Sequence, residues 1–233
     1  MSGVATKVKA MNFDATRMLS FDLETTSTDP RSARIVTSAL VTIDGRHVDK
    51  KEMLADPGVE IPEAAAQVHG ITTEKARAEG RPHDEVLEET VNAIKQAWDN
   101  GLTLVVYNAA YDLSVLRALT GDFTVTGPVY DPFVIDRVMD KWRKGKRTLG
   151  AVCEHYGVSL DNAHEATADA LAAARVAWKQ VRQVFPELAQ KDVNELMEFQ
   201  AVRWYHDRMD FKKYLEGKGR DAESVSTAWP MIS

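Results

Sequence analysis

Three segments near the start of this 233-residue chain read as successive strands, and their order restricts the folds open to it. The apolar run Met18-Leu19-Ser20-Phe21 predicts a short buried strand, and Arg34 to Ile43 is rich in Ile, Val and Thr. Asp44-Gly45 predicts a two-residue hairpin turn into a third strand, Arg46 to Leu54. Strand and helix patterns alternate after that, so we expect an α/β fold in which helices flank a mixed sheet.

Two helical patterns define the second half of the chain. The Ala-rich stretch from Glu165 to Val184 is the strongest helix prediction, and Pro186 marks a boundary after it. Beyond Pro186, apolar residues from Val193 to Tyr205 recur at three- and four-residue steps, as in an amphipathic helix. We therefore expect one domain over residues 14–185, followed by a C-terminal helical extension and irregular tail over residues 186–233.

Composition excludes several classes of protein. A single cysteine, Cys153, rules out an internal disulfide framework and a cysteine-built zinc site. Apolar runs such as Leu104 to Tyr107 are far shorter than the roughly 18 residues that cross a membrane. The net charge of −6 disfavours a general nucleic-acid-coating protein, but it allows an enzyme with a local basic patch and an acidic metal site. We expect a cytoplasmic protein with no membrane contact.

Acidic residues follow two predicted strands and one predicted helix start. Asp22 and Glu24 end the first strand, and residues two apart on a strand point to the same face. Asp112 follows the strand from Thr103 to Tyr107 and opens a helix, where a simple helix cap is the alternative interpretation. Asp169 lies in the early turns of the Ala-rich helix, five residues after His164. A surface histidine beside a helix acid is the alternative there.

Four converging carboxylates would indicate a divalent metal site. Two like charges about 4 Å apart repel by roughly 4 kcal/mol at an effective dielectric near 20, so such a cluster binds protons or cations. Oxygen ligands favour Mg²⁺ or Mn²⁺ over zinc, and a pair of these ions is the usual device for displacement at phosphorus. His164 is then the candidate general base, because an unperturbed pKa of about 6.5 leaves histidine mostly neutral at working pH.

Three segments in order resemble the motifs of the DnaQ-like 3′–5′ exonucleases, the DEDDh family that includes the proofreading epsilon subunit of bacterial DNA polymerase III. They are Phe21-Asp22-Leu23-Glu24-Thr25-Thr26, Asn108-Ala109-Ala110-Tyr111-Asp112 and His164-Glu165-Ala166-Thr167-Ala168-Asp169. The resemblance covers about Met18 to Val184. It implies a ribonuclease H-like mixed five-stranded sheet, and release of nucleoside 5′-monophosphates from the 3′ end of single-stranded DNA in proofreading or repair.

The same resemblance assigns roles to individual residues. It implies that two Mg²⁺ or Mn²⁺ ions are held by Asp22, Glu24, Asp112 and Asp169, and that His164 activates the attacking water. The residues expected to contact the terminal nucleotide are Leu23, Thr25, Thr26, His69, Ile71 and Asn108.

A basic segment, Lys141 to Arg147, packs five cations into seven residues of an acidic protein. Such a run is commonly a solvated loop. The alternative is that it follows the phosphates of the incoming strand, with Arg147 in contact with substrate and Trp142 available to stack on a base.

Other functions stay open at this point. An RNA-directed exoribonuclease of the oligoribonuclease or RNase T type would use the same metal chemistry, because the motifs do not report the sugar. A non-catalytic nucleic-acid-binding module would lack one or more of the acids, and all four are present. The expected partners are a single-stranded DNA 3′ end (or RNA) and, through the C-terminal extension, a DNA polymerase or other repair protein. Packing of the extension on its own domain is the favoured alternative.

Overall fold

The computed structural model describes residues 12–160 and 163–232. Its strands are β1 Arg17–Thr25, β2 Ile35–Asp44, β3 His47–Asp56, β4 Arg81–Pro82, β5 Thr103–Val105 and β6 Val129–Tyr130. Its α-helices are α1 Glu63–His69, α2 Thr73–Glu79, α3 His83–Asp99, α4 Ala109–Thr120, α5 Pro132–Met139, α6 Leu149–Tyr156, α7 Ala166–Lys179 and α8 Val193–Gly217. Single turns of π-helix, Gln180–Val184, and 3₁₀-helix, Pro186–Gln190, link α7 to α8. No helix within the described ranges is both long and apolar enough to cross a membrane.

The strands form one mixed sheet in the order β4-β3-β2-β1-β5-β6. β1, β2 and β3 make the predicted antiparallel meander, and β5 pairs parallel to β1. The expected α/β fold with a mixed sheet is therefore confirmed. The sheet has six strands where the resemblance implied five, and neither two-residue edge strand, Arg81–Pro82 or Val129–Tyr130, was predicted from the sequence pattern. Two residues are too few to show a periodic pattern.

The strand β1 separates two layers of side chains. Leu19, Phe21 and Leu23 belong to the same hydrophobic cluster as residues of α3 and α4. On the opposite face, the Ser20 hydroxyl donates to the carbonyl oxygen of Ala170 in α7 over 2.6 Å. Because side chains alternate along a strand, Asp22 and Glu24 lie on this second face, next to α7.

The C-terminal extension packs against the edge of the sheet. The Gln200 side chain of α8 donates to the carbonyl oxygen of Val129 over 2.9 Å and accepts from the Asp131 backbone N–H over 2.8 Å. One side chain thus supplies the hydrogen bonds that another strand would give to β6. The tail returns beside it, where the Trp204 indole donates to the carbonyl oxygen of Ala228. The division into units at residues 185 and 186 stays a prediction.

Candidate active site

The acids of β1 and α7 meet at the carboxyl end of β1. The bond between Ser20 and Ala170 fixes α7 against this strand, and Asp169 is the residue next to Ala170. Glu24, His164 and Asp169 each offer one ligand atom, and these atoms all lie within 4.8 Å of one another. The contact between strand and helix therefore brings together residues that are far apart in the sequence.

Asp112 is tied to the same strand by a hydrogen bond. Helix α4 begins at Ala109, so Asp112 lies inside the first turn and is not the cap. Its buried carboxylate accepts from the backbone N–H of Leu23 over 3.1 Å, between the two acids of β1. The helix-cap alternative for Asp112 is therefore wrong.

A buried acid that the sequence analysis missed organises the start of α4. Asp131 accepts from the backbone N–H groups of Asn108 over 3.0 Å and Ala109 over 2.9 Å. Asn108 has a φ of 64°, which is uncommon for a residue other than glycine. The indole of Trp229 in the tail also donates to Asp131 over 3.2 Å. An Asp directly before Pro132 was a helix-start signal, but nothing local shows that this carboxylate reaches α4.

Burial raises the pKa of all four carboxyls, and repulsion by neighbouring acids adds to this at Asp22, Glu24 and Asp112. Burial, then the charge of Asp169, raises the pKa of Glu24 to about 7. Burial also raises the pKa of Asp112 to about 8, although the hydrogen bond from the Leu23 N–H stabilises the charged carboxylate and by itself lowers the pKa. The pKa of Asp22 is well above its usual value because of burial and the neighbouring charges, and burial raises the pKa of Asp169. Near neutral pH such a cluster takes up protons or a cation.

The donor set suits a divalent cation. Among the described residues, no Lys or Arg forms a salt bridge with Asp22, Glu24, Asp112 or Asp169, and the buried Oδ1 of Asp169 has no hydrogen-bond partner. Carboxylate oxygens are the ligands that Mg²⁺ and Mn²⁺ prefer. The predicted metal ligands therefore fit the group that the resemblance implies, although their role stays a prediction.

His164 lies on the exposed loop ahead of α7. Its φ of 71° is in the left-handed region, where strained functional residues are found. The backbone N–H of His164 donates to Oδ2 of Asp169 over 3.3 Å, which explains the spacing of five residues between them. The side chain is exposed to solvent beside Glu24 and Asp169.

Two adjoining cavities flank the acids. The larger, about 800 Å³, contains five of the residues expected to meet the terminal nucleotide: Leu23, Thr25, Thr26, His69 and Asn108. The smaller, about 400 Å³, is lined by Asp22, Glu24, Asp112, Asp169 and Arg147, among others. The two cavities share Leu23, Glu24, Asn108 and Tyr111. A ligand can therefore occupy the larger cavity with one end at the acids.

His69 carries a free polar atom on the wall of the larger cavity. Its Nδ1 accepts from the backbone N–H of Ile71 over 3.2 Å, while its buried Nε2 has no hydrogen-bond partner among the described residues. Burial lowers the pKa of His69, so its ring is neutral at pH 7. Ile71 itself packs beside Val36 and Ile61, and the residues that line the cavity do not include it.

Tyr111 belongs to the second motif, but the motif alone assigns it no role. Its hydroxyl donates to the carbonyl oxygen of Ser27 and also contacts the Thr25 hydroxyl, so it joins α4 to the loop after β1. Burial raises the pKa of Tyr111 to about 12, and the phenol therefore stays protonated. Its place directly before Asp112 was the signal available in the sequence.

Glu52 is a fifth acid that no sequence pattern indicated. Its carboxylate accepts from the backbone N–H of Thr167 over 3.1 Å and from the Thr167 hydroxyl, at the first turn of α7. An anion at this end of a helix is stabilising. The strand register explains its position, because Ala39 of β2 pairs with Asp22 on one side and with Glu52 on the other.

Arg147 lines the smaller cavity, but its charge is directed elsewhere. Its guanidinium bonds the carboxylate of Asp136, and Arg143 donates to the same oxygen over 2.7 Å. The Tyr156 hydroxyl donates to the other oxygen of Asp136 over 2.9 Å. Asp136 is completely buried, so both arginines serve an internal acid. Substrate binding by Arg147 stays a prediction.

Comparison with known protein families agrees with the three motifs. The family model RNase_T, described as Exonuclease, matches residues 19–177. A DNA polymerase III of the PolC type from Clostridium perfringens is 30% identical over 197 residues, which are 83% of this chain and 13% of that protein. The PolC-type enzyme of Lacticaseibacillus paracasei is 28% identical over 154 residues, 64% of this chain and 10% of that protein. The chain thus spans only about a tenth to an eighth of the length of these relatives.

Solved structures share the fold. Exonuclease I of E. coli in complex with a dT13 oligonucleotide has a TM-score of 0.63 and 20% identity, over 74% of this chain and 42% of that chain. Exonuclease I of Methylocaldum szegediense has a TM-score of 0.60 and 20% identity, over 81% of this chain and 45% of that chain. The expected ribonuclease H-like fold is therefore confirmed. Since the family match runs from β1 to α7 and contains all three motifs, this chain belongs to the exonuclease family, among the DnaQ-like 3′–5′ exonucleases.

Proposed function

We propose that this chain is a metal-dependent 3′–5′ exonuclease that removes nucleoside 5′-monophosphates from single-stranded DNA, in proofreading or repair in the cytoplasm. The observation that carries the proposal is the meeting of Asp22, Glu24, Asp112 and Asp169 in one cavity, with His164 beside two of them. The PolC-type relatives are DNA polymerases, and the exonuclease I structure contains a DNA oligonucleotide. These comparisons favour DNA over RNA.

The four acids are the proposed ligands of two Mg²⁺ or Mn²⁺ ions. When bound, divalent ions neutralise these carboxylates and stabilise the negative charge that develops on the phosphate. The raised pKa values of Glu24 and Asp112 support this assignment, because the acids repel one another and lack an internal cation.

The larger cavity is the proposed site of the terminal nucleotide. The free Nε2 of neutral His69 is available to hydrogen-bond the sugar or base, and the side chains of Thr25 and Thr26 border the same space. Tyr111 holds the loop that carries them. A nucleotide held here would have its 5′-phosphate at the acids.

His164 is the proposed general base. Its imidazole accepts a proton from water as the water oxygen forms a bond to phosphorus. The bond between phosphorus and the O3′ atom of the preceding nucleotide then breaks, and the departing O3′ oxygen takes a proton from a solvent water. The terminal nucleotide leaves with its 5′-phosphate, and the shortened strand ends in a 3′-hydroxyl.

We further propose that residues 14–185 form the exonuclease domain and that residues 186–233 form an extension that stabilises it. Gln200 at the sheet edge and Trp229 on Asp131 support this role. A DNA polymerase or other repair protein would approach through the outer face of α8, where Tyr205 and Tyr214 are exposed.

Digestion of matched oligomers tests the function. A DNA 20-mer labelled at its 5′ end should shorten stepwise from the 3′ end in Mg²⁺ or Mn²⁺ and release 5′-mononucleotides. Asp112→Asn should stop the reaction, while Asp99→Asn, which removes an exposed acid at the end of α3, should not. Faster digestion of the matched RNA would assign the RNA-directed alternative, and undiminished activity of Asp112→Asn would contradict the proposed site.

A further inference from the structure

The cations of the basic segment, Lys141 to Arg147, fall into two groups with different surroundings. Arg143 and Arg147 turn inward to Asp136, and each side chain is only 10% exposed. Arg147 also donates to the backbone carbonyl oxygens of Asp136 over 2.9 Å and Asp140 over 2.6 Å. These bonds fix the course of the segment. The two arginines are therefore the scaffold of this loop, and other residues form its outer surface.

Three side chains make up that outer surface: Trp142, Lys144 and Lys146. The Trp142 ring is 86% exposed, an unusual position for a large aromatic side chain. Lys144 and Lys146 are exposed, and in the described part of the chain their ammonium groups make no salt bridge. Lys141 beside them is held by Asp210 of α8 over 2.8 Å, and its ammonium lies 5.5 Å from the centre of the Trp142 ring.

The segment leads directly into the wall of the candidate active site. Arg147, Thr148 and Leu149 line the smaller cavity with the acids. The larger cavity, proposed for the terminal nucleotide, adjoins it through Glu24 and Tyr111. The three sites therefore adjoin one another in space: the cavity for the terminal nucleotide comes first, the four acids follow, and the basic segment lies beyond them.

We propose that Trp142, Lys144 and Lys146 bind the nucleotides of single-stranded DNA that precede the scissile phosphate. The Trp142 indole stacks on a base, and the two ammonium groups contact phosphates. Stacking on an exposed ring and contact with flexible lysines are tolerant of sequence, as a nuclease that digests any strand requires. This inference rests on the proposed function and extends it to the upstream part of the substrate.

The reach of the loop limits which nucleotides are bound. Trp142 precedes Arg147 by five residues, which span at most about 18 Å. At about 3.4 Å per stacked nucleotide, this distance corresponds to about five nucleotides. Binding at Trp142 should therefore increase the affinity for a 20-mer and leave the affinity for a substrate with a single nucleotide unchanged.

Two substrates separate the upstream site from the active site. For a thymidine 20-mer, Trp142→Ala should raise KM at least about fivefold, with Trp142→Phe close to wild type. For the 4-nitrophenyl ester of thymidine 5′-monophosphate, which occupies only the active site, both variants should match wild type. Unchanged KM for the 20-mer in Trp142→Ala would overturn the stacking role.

Salt dependence tests the two lysines. Removing two phosphate contacts should reduce the slope of log Kd against log salt by about 1.4 for a single strand. We expect this change in Lys144→Ala/Lys146→Ala, measured by fluorescence anisotropy of a labelled 20-mer in EDTA. The charge-matched control Lys50→Ala/Lys95→Ala, on β3 and α3, should keep the wild-type slope.

These outcomes are distinguishable from failure of the proposed function. If the wild type hydrolysed neither substrate, the exonuclease proposal would fall, while the anisotropy measurement would still report binding by the loop. If hydrolysis were normal and the slope were the same in all three proteins, the upstream site would be excluded and the exonuclease proposal would stand.

Discussion

Two buried acidic sites of this molecule differ in what neutralises them. Asp136 is fully enclosed and is bonded by Arg143, Arg147 and Tyr156. At the end of β1, Asp112 is buried and the other three acids are half-buried, but the described residues give them no Lys or Arg partner. Asp136 therefore has arginine partners, and the acids at the end of β1 have none among the described residues. The proposed metal ions would supply the missing positive charge.

Arg147 lies close to both acidic sites but bonds only one of them. Arg147 borders the same cavity as Asp22, yet its guanidinium is bonded to Asp136. If Arg147 were free, it would compete with a metal ion for the carboxylates. Asp136 therefore does two things. It orders the basic segment, and it keeps the guanidinium of Arg147 away from the carboxylates at the end of β1.

Loss of one carboxylate at the end of β1 should remove most of the activity. Asp22→Asn should lower kcat/KM by about 10³-fold or more, because each metal-site charge is worth several kcal/mol in the transition state. In EDTA the same variant should be as stable as wild type or more stable, because it removes like-charge repulsion. Activity assays and thermal melts on one preparation check this. A large drop in melting temperature in EDTA would give Asp22 a structural role instead.

At Asp136 the same substitution should have the opposite result. Asp136→Asn leaves two buried arginines without their anion, and the free energy of unfolding should fall by about 3–5 kcal/mol. Chemical denaturation measures this loss. Asp44→Asn, which breaks the exposed pair with Arg17, is the matched control and should cost less than about 1 kcal/mol. Equal effects of the two variants would refute the contrast between the sites.

The pH dependence of stability should also differ between metal-free and metal-bound protein. The folded-state pKa values of Glu24 and Asp112, about 7 and about 8, lie above those of the unfolded chain. Between about pH 4 and pH 8 the folded state therefore binds more protons than the unfolded chain. The two carboxyls stabilise the fold fully below about pH 4, and this stabilisation is lost as pH rises through 8. Melting temperatures in EDTA should fall over this window.

Adding Mg²⁺ supplies the control for that prediction. Because the metal competes with protons for the same oxygens, Mg²⁺ should raise the melting temperature more at pH 8 than at pH 5. In Asp112→Asn the fall in EDTA should be smaller, since one of the titrating groups is gone. Equal stabilisation by Mg²⁺ at both pH values would contradict the account.

The smallest expected effect is at Glu52. Glu52→Gln keeps a hydrogen-bond acceptor for Thr167 but removes the anion from the start of α7, so stability should fall by about 0.3–1 kcal/mol. The loss of charge near Glu24 should also lower the pKa of Glu24. Denaturation and the acid limb of the activity profile check the two effects. If neither the stability nor the acid limb of the activity profile changed, Glu52 would have no role at the site.

The predictable part of this structure lies in local patterns. Strand alternation gave the shared face of Asp22 and Glu24, and the ordered motifs identified Asp112, His164 and Asp169. The missed residues act across long sequence separations: Glu52 depends on the register of three strands, and Asp131 on the approach of two helix starts. A sequence pattern cannot show such pairings, because they form only when the sheet assembles.

Arg147 shows that sequence patterns also leave the partner of a charged side chain undetermined. Its place in a basic segment suggested contact with phosphates, and the structure directs its charge to Asp136. Residue type and spacing identified the segment as unusually basic, but they did not distinguish its buried cations from its exposed ones. That distinction needs the position of α5, which carries the acid.

Manganese titration shows directly whether the four acids at the end of β1 hold divalent ions. Titration of the metal-free chain with Mn²⁺, followed by the electron paramagnetic resonance signal of the free ion, should give two bound ions per chain near neutral pH. Asp22→Asn should lose at least one of them, while Asp99→Asn should bind as wild type does. A wild-type chain that took up no Mn²⁺ at millimolar concentration, or an Asp22→Asn variant that bound it normally, would contradict the account.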